Sequence, residues 1–381
     1  MAETFVTNDE FGFFSFFTGA GFLDLGFEDA GFKSYLANEI DPNFTEVYRY
    51  SRRRMNRPLP VYGLYEGDVR EYLRNPQKLQ TLSKQLADAR REVRFVGFIG
   101  GPPCPDFSVA NANAQGEDGS RGVLTRIYVN LICEQKPDFF VLENVKGLLS
   151  TARHREFFNR MVDILRANDY LTSHRLINAL EYGAAQDRQR VILLGVRNPL
   201  CKGHRDNGEL KDFPWHEFIR YSLDEIRGVE WPTTDAFAEN GERAIPSGVP
   251  RPLTVQHWFD RNDVEHHPNG RDFFVPRAGL AKMLTYAEGD DSRKCYKRLH
   301  RWRYSPTACY GNNEVHLHPY KARRLSVAEA LAIQSLPRQF ALPPSIPLSA
   351  KFKTIGNGVP YVAALGVAKS LMAFLRELEH E

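Results

Sequence analysis

The sequence lacks several features that would place it in a specialised class. Its five cysteines are widely spaced and form no C-x-x-C pair, which argues against a zinc site and against a disulfide framework. The formal net charge is only +3, so bulk charge neither requires nor excludes a nucleic-acid partner. No internal repeat or low-complexity tract is apparent. These absences favour an ordinary globular protein of a reducing cytosol, with no bound metal.

Signals for secretion or membrane insertion are also missing. The first residues do not show the basic-then-apolar layout of a signal peptide. The longest apolar stretch near the C-terminus, 359–375, is interrupted by Lys369 and Ser370, and it predicts a core helix rather than a membrane span. We therefore expect a cytoplasmic protein without membrane contact.

What is present is a regular alternation of short apolar runs and helical stretches from residue 11 to about 197. Strands are predicted at 11–17, 93–99, 138–145 and 190–196, and helices at 77–91, 122–134 and 154–168. Such alternation is typical of an α/β fold whose largely parallel sheet is covered by helices on both faces. Ligands of these sheets bind outside the carboxyl ends of the strands.

The alternation stops at about residue 198, where prolines, glycines and aromatics become dense. Helical patterning returns at 327–334 and again after Pro360. We predict a large domain over 1–197, a smaller irregular domain over 198–300, and a return to the first domain over 301–381.

Two basic clusters are of a kind that binds a phosphate backbone, although a solvated surface explains either cluster equally well. They comprise Arg49, Arg52, Arg53, Arg54 and Arg57, and then Arg293, Lys294, Lys297, Arg298, Arg301 and Arg303.

A glycine turn, Phe17–Gly21, directly follows the first predicted strand. Such turns let backbone N–H groups approach a cofactor closely. Glu39 ends the next strand, where acids commonly bind ribose hydroxyls, and Asp68 ends a third possible strand, where it could meet an adenine amino group. The pattern indicates a nucleoside cofactor, without separating dinucleotides from S-adenosylmethionine.

Cys104 lies in a Gly-Gly-Pro-Pro-Cys-Pro segment after the strand that ends at Ile99. Two glycines and two prolines would fix the backbone and present the thiol at the edge of the sheet, where a thiolate could attack a substrate. Taken alone, a free cysteine is more often a small buried residue in a tight loop.

Charged residues beside this edge strengthen the catalytic interpretation. Glu143 ends an apolar strand, and partial burial there would raise its pKa so that it could donate a proton near neutrality. Arg188 and Arg190 alternate onto one face before the next strand, so both could point at one anion or carbonyl. Singly, the carboxylate would cap a helix and the arginines would be surface charges.

Together these motifs resemble the C5 cytosine DNA methyltransferase family over roughly 11–197 and 300–375. The motifs, in chain order, are Phe17–Gly21, Pro103-Cys104, Glu143-Asn144-Val145, Gln186-x-Arg188-x-Arg190, Arg324–Ala330 with Gln334–Pro337, and Gly356–Pro360. The resemblance implies an α/β Rossmann-like fold that uses S-adenosylmethionine, and a target-recognition domain in the irregular region. It also implies double-stranded DNA as substrate, a monomer of bacterial or phage origin, and a restriction endonuclease as a candidate partner.

The resemblance also implies roles for single residues. Cys104 matches the nucleophile that adds to C6 of a flipped cytosine, and Glu143 matches the residue that holds N3 and the exocyclic amine. Arg190 matches a contact to the base carbonyl, and Arg188 a support near the nucleophile and phosphate. The expected cofactor contacts are Phe17, Thr18, Gly19, Ala20, Gly21, Glu39, Ile40, Asp68, Val69, Pro102 and Asn357. The expected DNA contacts are Ser108, Arg251, Gln256, Arg261, Asn262, Arg293 and Lys297.

Three residues depart from the family pattern. Pro105 stands where glutamine is usual, Ser15 where many members have aspartate, and Phe22 where glycine is frequent. The change at Pro105 touches the base pocket, and the change at Phe22 touches the cofactor loop. We interpret them as variation within an active enzyme, because Cys104 and Glu143 are both present.

Three alternative functions make different demands on the sequence. A tRNA cytosine-5 methyltransferase would have a smaller recognition segment and a Cys-Phe-Thr tripeptide, and this sequence has neither. A dehydrogenase would need a full G-x-G-x-x-G, whose third glycine is absent after Gly21. A DNA-binding regulator without activity would be expected to have lost Cys104 or Glu143.

Overall fold

The computed structural model of the protein describes residues 10–103, 122–201, 208–276, 279–293, 295–308, 310 and 316–378, and the backbone of 205–206. Its strands are β1 (Phe11–Phe16), β2 (Lys33–Glu39), β3 (Leu64–Glu66), β4 (Phe95–Gly100), β5 (Phe139–Val145), β6 (Tyr170–Asn178), β7 (Gln189–Arg197), β8 (Arg205–Asp206), β9 (Glu209–Leu210), β10 (Lys297–Arg298) and β11 (His316–Leu317).

The helices alternate with the strands in the first half and dominate the C-terminal end. They are α1 (Phe22–Ala30), α2 (Pro42–Arg54), α3 (Arg70–Arg74), α4 (Pro76–Glu92), α5 (Gly122–Gln135), α6 (Ala152–Ala167), α7 (Leu223–Gly228), α8 (Val255–Asn262), α9 (Leu280–Leu284), α10 (Val327–Ile333), α11 (Leu348–Asn357) and α12 (Tyr361–Glu377).

Within the described residues, nine strands form one sheet in the order β3-β2-β1-β4-β5-β7-β6-β9-β8. Successive residues of β1 point to opposite faces, so Phe11 and Phe13 join one apolar cluster and Phe14 and Phe16 another. The first cluster includes side chains of α1 and α12, and the second includes side chains of α4, α5 and α6. The predicted α/β sheet with helices on both faces is confirmed.

The sheet is largely parallel, as predicted, but its last strands include one reversal. The strands β1 to β5 pair in parallel, but β7 runs antiparallel to both β5 and β6. Arg190, at the start of β7, therefore pairs with Val145, at the end of β5. This reversal brings the amino end of β7 to the edge where the parallel strands end, so the motif that precedes β7 joins the others there.

The C-terminal stretch Leu348–Glu377 is long and apolar enough to cross a membrane by length and composition alone. It comprises two helices, α11 and α12, and 72% of its apolar window is buried inside the protein. Ala363, Val367 and Leu371 of α12 lie in the same apolar cluster as Phe27 of α1. The stretch therefore forms part of the core, as the charge and polarity of Lys369 and Ser370 suggested.

The region after β7 contains short elements and long irregular segments. Val255, Trp258 and Phe259 of α8 nevertheless share an apolar cluster with α12, and Phe213 packs against Phe374 at a ring distance of 5.5 Å. Parts of the predicted second domain thus contact the core of the first. The division at residues 198 and 300 stays a prediction.

Candidate active site

The glycine turn lies between β1 and α1 at the carboxyl edge of the sheet. Gly19 and Gly21 have φ angles of +59° and +81°, which residues with a side chain rarely adopt. A Cβ atom at Gly21 would lie 2.6 Å from the Tyr48 ring, whereas one at Gly19 would meet no atom within 4 Å. Thr18 and Ala20 are buried, while Phe17 and Gly19 are half-buried. The turn therefore packs tightly at Gly21 and is open at Gly19, where a ligand can approach the backbone.

Glu39 at the end of β2 joins this turn to the next strand. Its carboxylate accepts hydrogen bonds from the backbone N–H groups of Gly19 (2.8 Å), Ile40 (2.8 Å) and Asp41 (2.9 Å). Burial raises the pKa of the Glu39 carboxyl, and the three N–H contacts oppose that rise. The Ile40 side chain next to it is 59% exposed.

Asp68 follows β3 and Asn357 ends α11. Asp68 accepts from the backbone N–H and the Nε of Arg70 at 2.9 and 2.6 Å, and the Arg70 contact lowers its pKa. Val69 is buried beside it, whereas Asn357 is exposed. The expected adenine contact is thus ionised and paired with an arginine on the chain itself.

Glu143 and Arg190 form an ion pair across β5 and β7. Arg190 Nε lies 2.8 Å from Glu143 Oε1, and both side chains are nearly buried, at 12% and 11% exposure. Burial raises the pKa of Glu143, while the charges of Arg190 and Arg188 oppose the rise. The predicted direction of that pKa shift is confirmed, and the pair forms because β7 is reversed.

The segment after β4 passes close to this carboxylate. A Cβ atom at Gly101 would lie 2.7 Å from Glu143 Oε2, so only glycine permits this approach. The carbonyl of Pro102, which is buried, accepts from Asn144 Nδ2 at 3.4 Å. Cys104 and Ser108 lie outside the described residues.

Arg188 is fully buried and contacts backbone. Its guanidinium donates to the carbonyls of Ala308 (3.0 Å) and Gly356 (2.7 Å). Arg188 therefore connects the site to two later segments and acts on Glu143 through its charge. Its expected role beside the nucleophile stays a prediction.

Two buried glutamines, Gln186 and Gln334, join the segment before β7 to the two later segments. In the sequence they were only members of motifs, and no role was predicted for either. Gln186 Nε2 donates to Gln334 Oε1 at 3.2 Å, and Gln186 Oε1 accepts from the N–H of Ala308 at 3.0 Å. Gln334 Nε2 donates to the Ile355 carbonyl at 2.6 Å. Residues so far apart in sequence show no local signal of contact, and only their shared appearance in the family motifs hinted at it.

Two of the expected DNA contacts, Arg251 and Arg261, line one shallow cavity. The cavity has a volume of about 450 Å³ and is lined by Arg251, Pro252, His257, Asp260 and Arg261. Arg251 pairs with Asp260 at 3.1 Å, and Gln256 Nε2 donates to the same carboxylate at 2.7 Å. Arg261 stacks over the Trp258 ring at 4.6 Å. Asn262 is buried and donates to the Leu336 carbonyl, so it cannot read a base.

Each basic cluster is only partly exposed to solvent. In the second, Arg293 is exposed and Lys297 half-buried, but Arg298 and Arg301 are buried. In the first, Arg53 and Arg54 are exposed, whereas Arg52 is buried and pairs with Glu28 at 2.6 Å. A phosphate patch made of every member of either cluster is therefore excluded, since the buried guanidiniums face the interior.

Within the described residues, no group of three or more His, Cys, Asp or Glu side chains is arranged to hold a metal ion.

Comparison with known proteins gives a consistent result. A family model for C-5 cytosine-specific DNA methylases matches residues 11–373. The chain is 52% identical to the Type II methyltransferase M.NmeDI of Neisseria meningitidis serogroup C, over 95% of this chain and 83% of that protein. It is 33% identical to the Type II methyltransferase M.MthTI of Methanothermobacter thermautotrophicus, over 94% and 96% of the two chains.

Solved structures share the fold at low sequence identity. A crystal structure of a prophage-encoded DNA modification methyltransferase from E. coli matches with a TM-score of 0.63 and 22% identity, covering 96% of this chain and 99% of that one. The S. pombe Dnmt2 methyltransferase matches with a TM-score of 0.58 and 13% identity, covering 96% and 98%.

Proposed function

This chain belongs to the C-5 cytosine-specific DNA methylase family and is a DNA (cytosine-5)-methyltransferase, and from that premise we propose how its own residues carry out the reaction. The observation that carries the proposal is the buried Glu143–Arg190 pair, which lies at the carboxyl edge beside the segment that leads to Cys104.

Members of this family are S-adenosylmethionine-dependent, and we propose that this chain binds that donor at the glycine turn, on the carboxyl edge of the sheet. The open side of Gly19, the exposed Ile40 side chain and the carboxylates of Glu39 and Asp68 suit a nucleoside with an adenine ring and ribose hydroxyls. The binding set is Phe17, Thr18, Gly19, Ala20, Gly21, Glu39, Ile40, Asp68, Val69, Pro102 and Asn357. When bound, S-adenosylmethionine supplies the methyl group and leaves as S-adenosylhomocysteine.

For the target base, we assign addition to Cys104 and orientation to Glu143 and Arg190. The Cys104 thiolate forms a bond to C6 of cytosine, and the electron pair of the C5–C6 double bond makes C5 nucleophilic. The Glu143 carboxyl is proposed to hold N3 and the exocyclic amine, and burial raises its pKa in the direction that favours donating a proton to N3. Arg190 contacts the base carbonyl. After methylation at C5, a base takes up the C5 proton, and its electron pair restores the C5–C6 double bond and releases Cys104 as a thiolate.

The reaction cannot take place on a stacked base, so the cytosine must leave the duplex. We propose that residues 198–300 form the recognition domain, with 1–197 and 301–381 forming the catalytic domain. Arg251, Arg261, Arg293 and Lys297 are partly or fully exposed and could reach DNA, and Gln256 lies beside them. Ser108 is proposed to contact DNA near the flipped base.

We further propose a setting for this activity. The resemblance to Type II methyltransferases fits a modification enzyme of a restriction–modification or phage-protection system, acting as a monomer on double-stranded DNA in the bacterial cytoplasm or nucleoid. Such a system would pair it with a restriction endonuclease that cuts the same site.

The test is transfer of labelled methyl from S-adenosylmethionine to duplex DNA, with transfer RNA and the Cys104→Ser protein in parallel. We expect label at C5 of cytosine in DNA, and no label with the variant. Label in RNA alone would reassign the substrate. Equal label with and without Cys104 would remove the nucleophile from the mechanism.

A further inference from the structure

Buried hydrogen bonds run beneath the glycine turn. Thr18 Oγ1 donates to Ser15 Oγ at 2.7 Å, and Ser15 Oγ donates to Asp24 Oδ1 at 2.7 Å. All three residues are buried, and Asp24 has no exposed surface. Because Thr18 lies in the turn and Asp24 lies on α1, these two hydrogen bonds fix the first half of the turn to the helix that follows it.

Tyr48 of α2 extends the network to the other half of the turn. Its hydroxyl donates to Asp24 Oδ2 at 3.2 Å. Its ring lies directly under Gly21, where a Cβ atom would approach to 2.6 Å. The two carboxylate oxygens of Asp24 therefore hold Thr18 through Ser15 and support Gly21 through Tyr48.

Neutralising the nearby arginine does not explain why a carboxylate is buried here. Arg52 Nη2 donates to Glu28 Oε1 at 2.6 Å, so Glu28 is its counter-ion, and Nη1 donates to the Tyr48 hydroxyl at 3.1 Å. Burying a carboxylate is unfavourable, and burial raises the pKa of Asp24 to about 7. That a carboxylate is nevertheless buried at this position indicates that Asp24 has a role in shaping the turn.

We propose that Asp24 is a positioning residue for methyl-donor binding, which it serves by holding the glycine turn from both sides. This inference rests on the proposed donor site. It also accounts for Ser15, which stands where many family members have aspartate. In this chain α1 supplies the carboxylate that β1 lacks, and the Ser15 hydroxyl links that carboxylate to Thr18 by hydrogen bonds.

Relocating the carboxylate tests this directly. The double variant Ser15→Asp/Asp24→Ser returns the carboxylate to β1, within reach of the Thr18 hydroxyl, and leaves a hydroxyl on α1. The single variant Asp24→Ser removes the carboxylate altogether. Binding of S-adenosylhomocysteine to the purified full-length protein is measured by calorimetry at pH 8, where Asp24 is largely ionised.

We expect Asp24→Ser to weaken binding by about tenfold, the scale of one lost charge-assisted hydrogen bond. The double variant should recover to within about threefold of wild type. In steady-state transfer, Asp24→Ser should raise KM for the donor by a similar factor and change kcat much less, since Asp24 does not touch the base.

A matched control separates positioning from stability. Asp138 is also buried, at the opposite edge of the sheet, where it pairs with Arg90 at 2.9 Å. Asp138→Asn should lower the melting temperature without changing the affinity for S-adenosylhomocysteine. If Asp24→Ser does not fold, Ser15→Ala cuts only the Thr18 branch and should weaken binding about threefold.

The outcomes distinguish two failures. Unchanged affinity in Asp24→Ser or Ser15→Ala, or a folded double variant that stays as weak as Asp24→Ser, would overturn the positioning role alone. If wild-type protein does not bind S-adenosylhomocysteine, the proposed donor site fails and this inference fails with it.

Discussion

Arg190 at the sheet edge and Arg298 in the irregular region between residues 208 and 310 are both largely buried, but they contact different groups. At the sheet edge, Glu143 and Arg190 contact each other beside the open site. In the irregular region, Arg298 donates to the backbone carbonyls of Met283, Tyr286 and His318. The first pair belongs to the proposed catalytic site, and the second arginine joins separate segments of the polypeptide.

The difference follows from how each region satisfies its backbone. Strands and helices pair their own N–H and C=O groups, so charges at the sheet edge remain available to a substrate. Irregular segments bury carbonyls without such partners, and a guanidinium with five donors can satisfy several of them. A basic run in a sequence therefore does not by itself indicate a DNA surface.

The largest expected effect concerns the proposed nucleophile. Cys104→Ser should abolish methyl transfer, because a hydroxyl is a far weaker nucleophile than a thiolate at neutral pH. DNA affinity, measured by fluorescence anisotropy, should change little, since a single atom is exchanged. Turnover comparable to wild type would show that the chemistry does not depend on Cys104.

Replacing the Glu143 carboxylate should slow methyl transfer less than the loss of Cys104 does, but still strongly. Glu143→Gln keeps the shape and removes the acid, and we expect single-turnover transfer to slow by at least about 10²-fold. The melting temperature should stay close to that of wild type. A rate within a few-fold of wild type would move the role of the acid to another residue.

The irregular region should respond in the opposite way. Arg298→Met leaves several buried carbonyls without a donor and should lower the free energy of unfolding by about 3 kcal/mol. Arg293→Met, five positions earlier and 55% exposed, is the matched control and should be almost neutral. Equal stability of the two variants in urea titrations would refute the scaffolding role.

A pH effect should arise from Asp24. Its pKa is raised from the ordinary carboxyl value to about 7, in contact with Ser15 and Tyr48 and near Glu28 and Arg52. The folded state thus favours the protonated form, so this group's contribution to stability is complete below about pH 4 and is lost as pH rises to about 7. Relative to wild type, Asp24→Asn should therefore become more stable by about 2 to 3 kcal/mol between pH 5 and pH 8.

That gain would be read from denaturant titrations of both proteins at several pH values. A constant difference in the free energy of unfolding across this range would mean that Asp24 titrates like an exposed carboxyl.

The smallest effect concerns DNA affinity. Lys297 is half-buried in the same basic cluster as Arg298, and Lys297→Gln should remove one phosphate contact. The slope of log K against log salt should fall by about one, with no change in melting temperature. Lys84→Gln, exposed on α4, serves as the control. An unchanged slope for Lys297→Gln would exclude that contact.

The sequence predicted the strands that are buried along most of their length. Strands β1, β4, β5 and β7 are continuous apolar runs, which only a sheet covered on both faces explains. Strand β6 went unpredicted because exposed polar residues interrupt it, and the direction of β7 depends on its pairing with β6. Local patterns carry no information about such partners.

The candidate site shows the same limit. Glu39, Glu143 and the glycine turn could be found because each directly follows or ends a strand, and strand ends are visible in sequence. The burial of Arg188, Arg298 and Asn262 could not, because it depends on carbonyls that fold against them from distant segments.

The reversal of β7 also bears on how such a protein can change its target over evolution. The chain leaves β7 at the edge remote from Glu143 and meets the site again at Ser305, whose N–H binds the Ala185 carbonyl. Sequence exchanged between these two joints would leave the reacting groups in place, provided that it carried its own version of α8. Under the proposed assignment of residues 198–300 to target recognition, recombination between these joints would change the DNA target while the proposed catalytic residues stay the same.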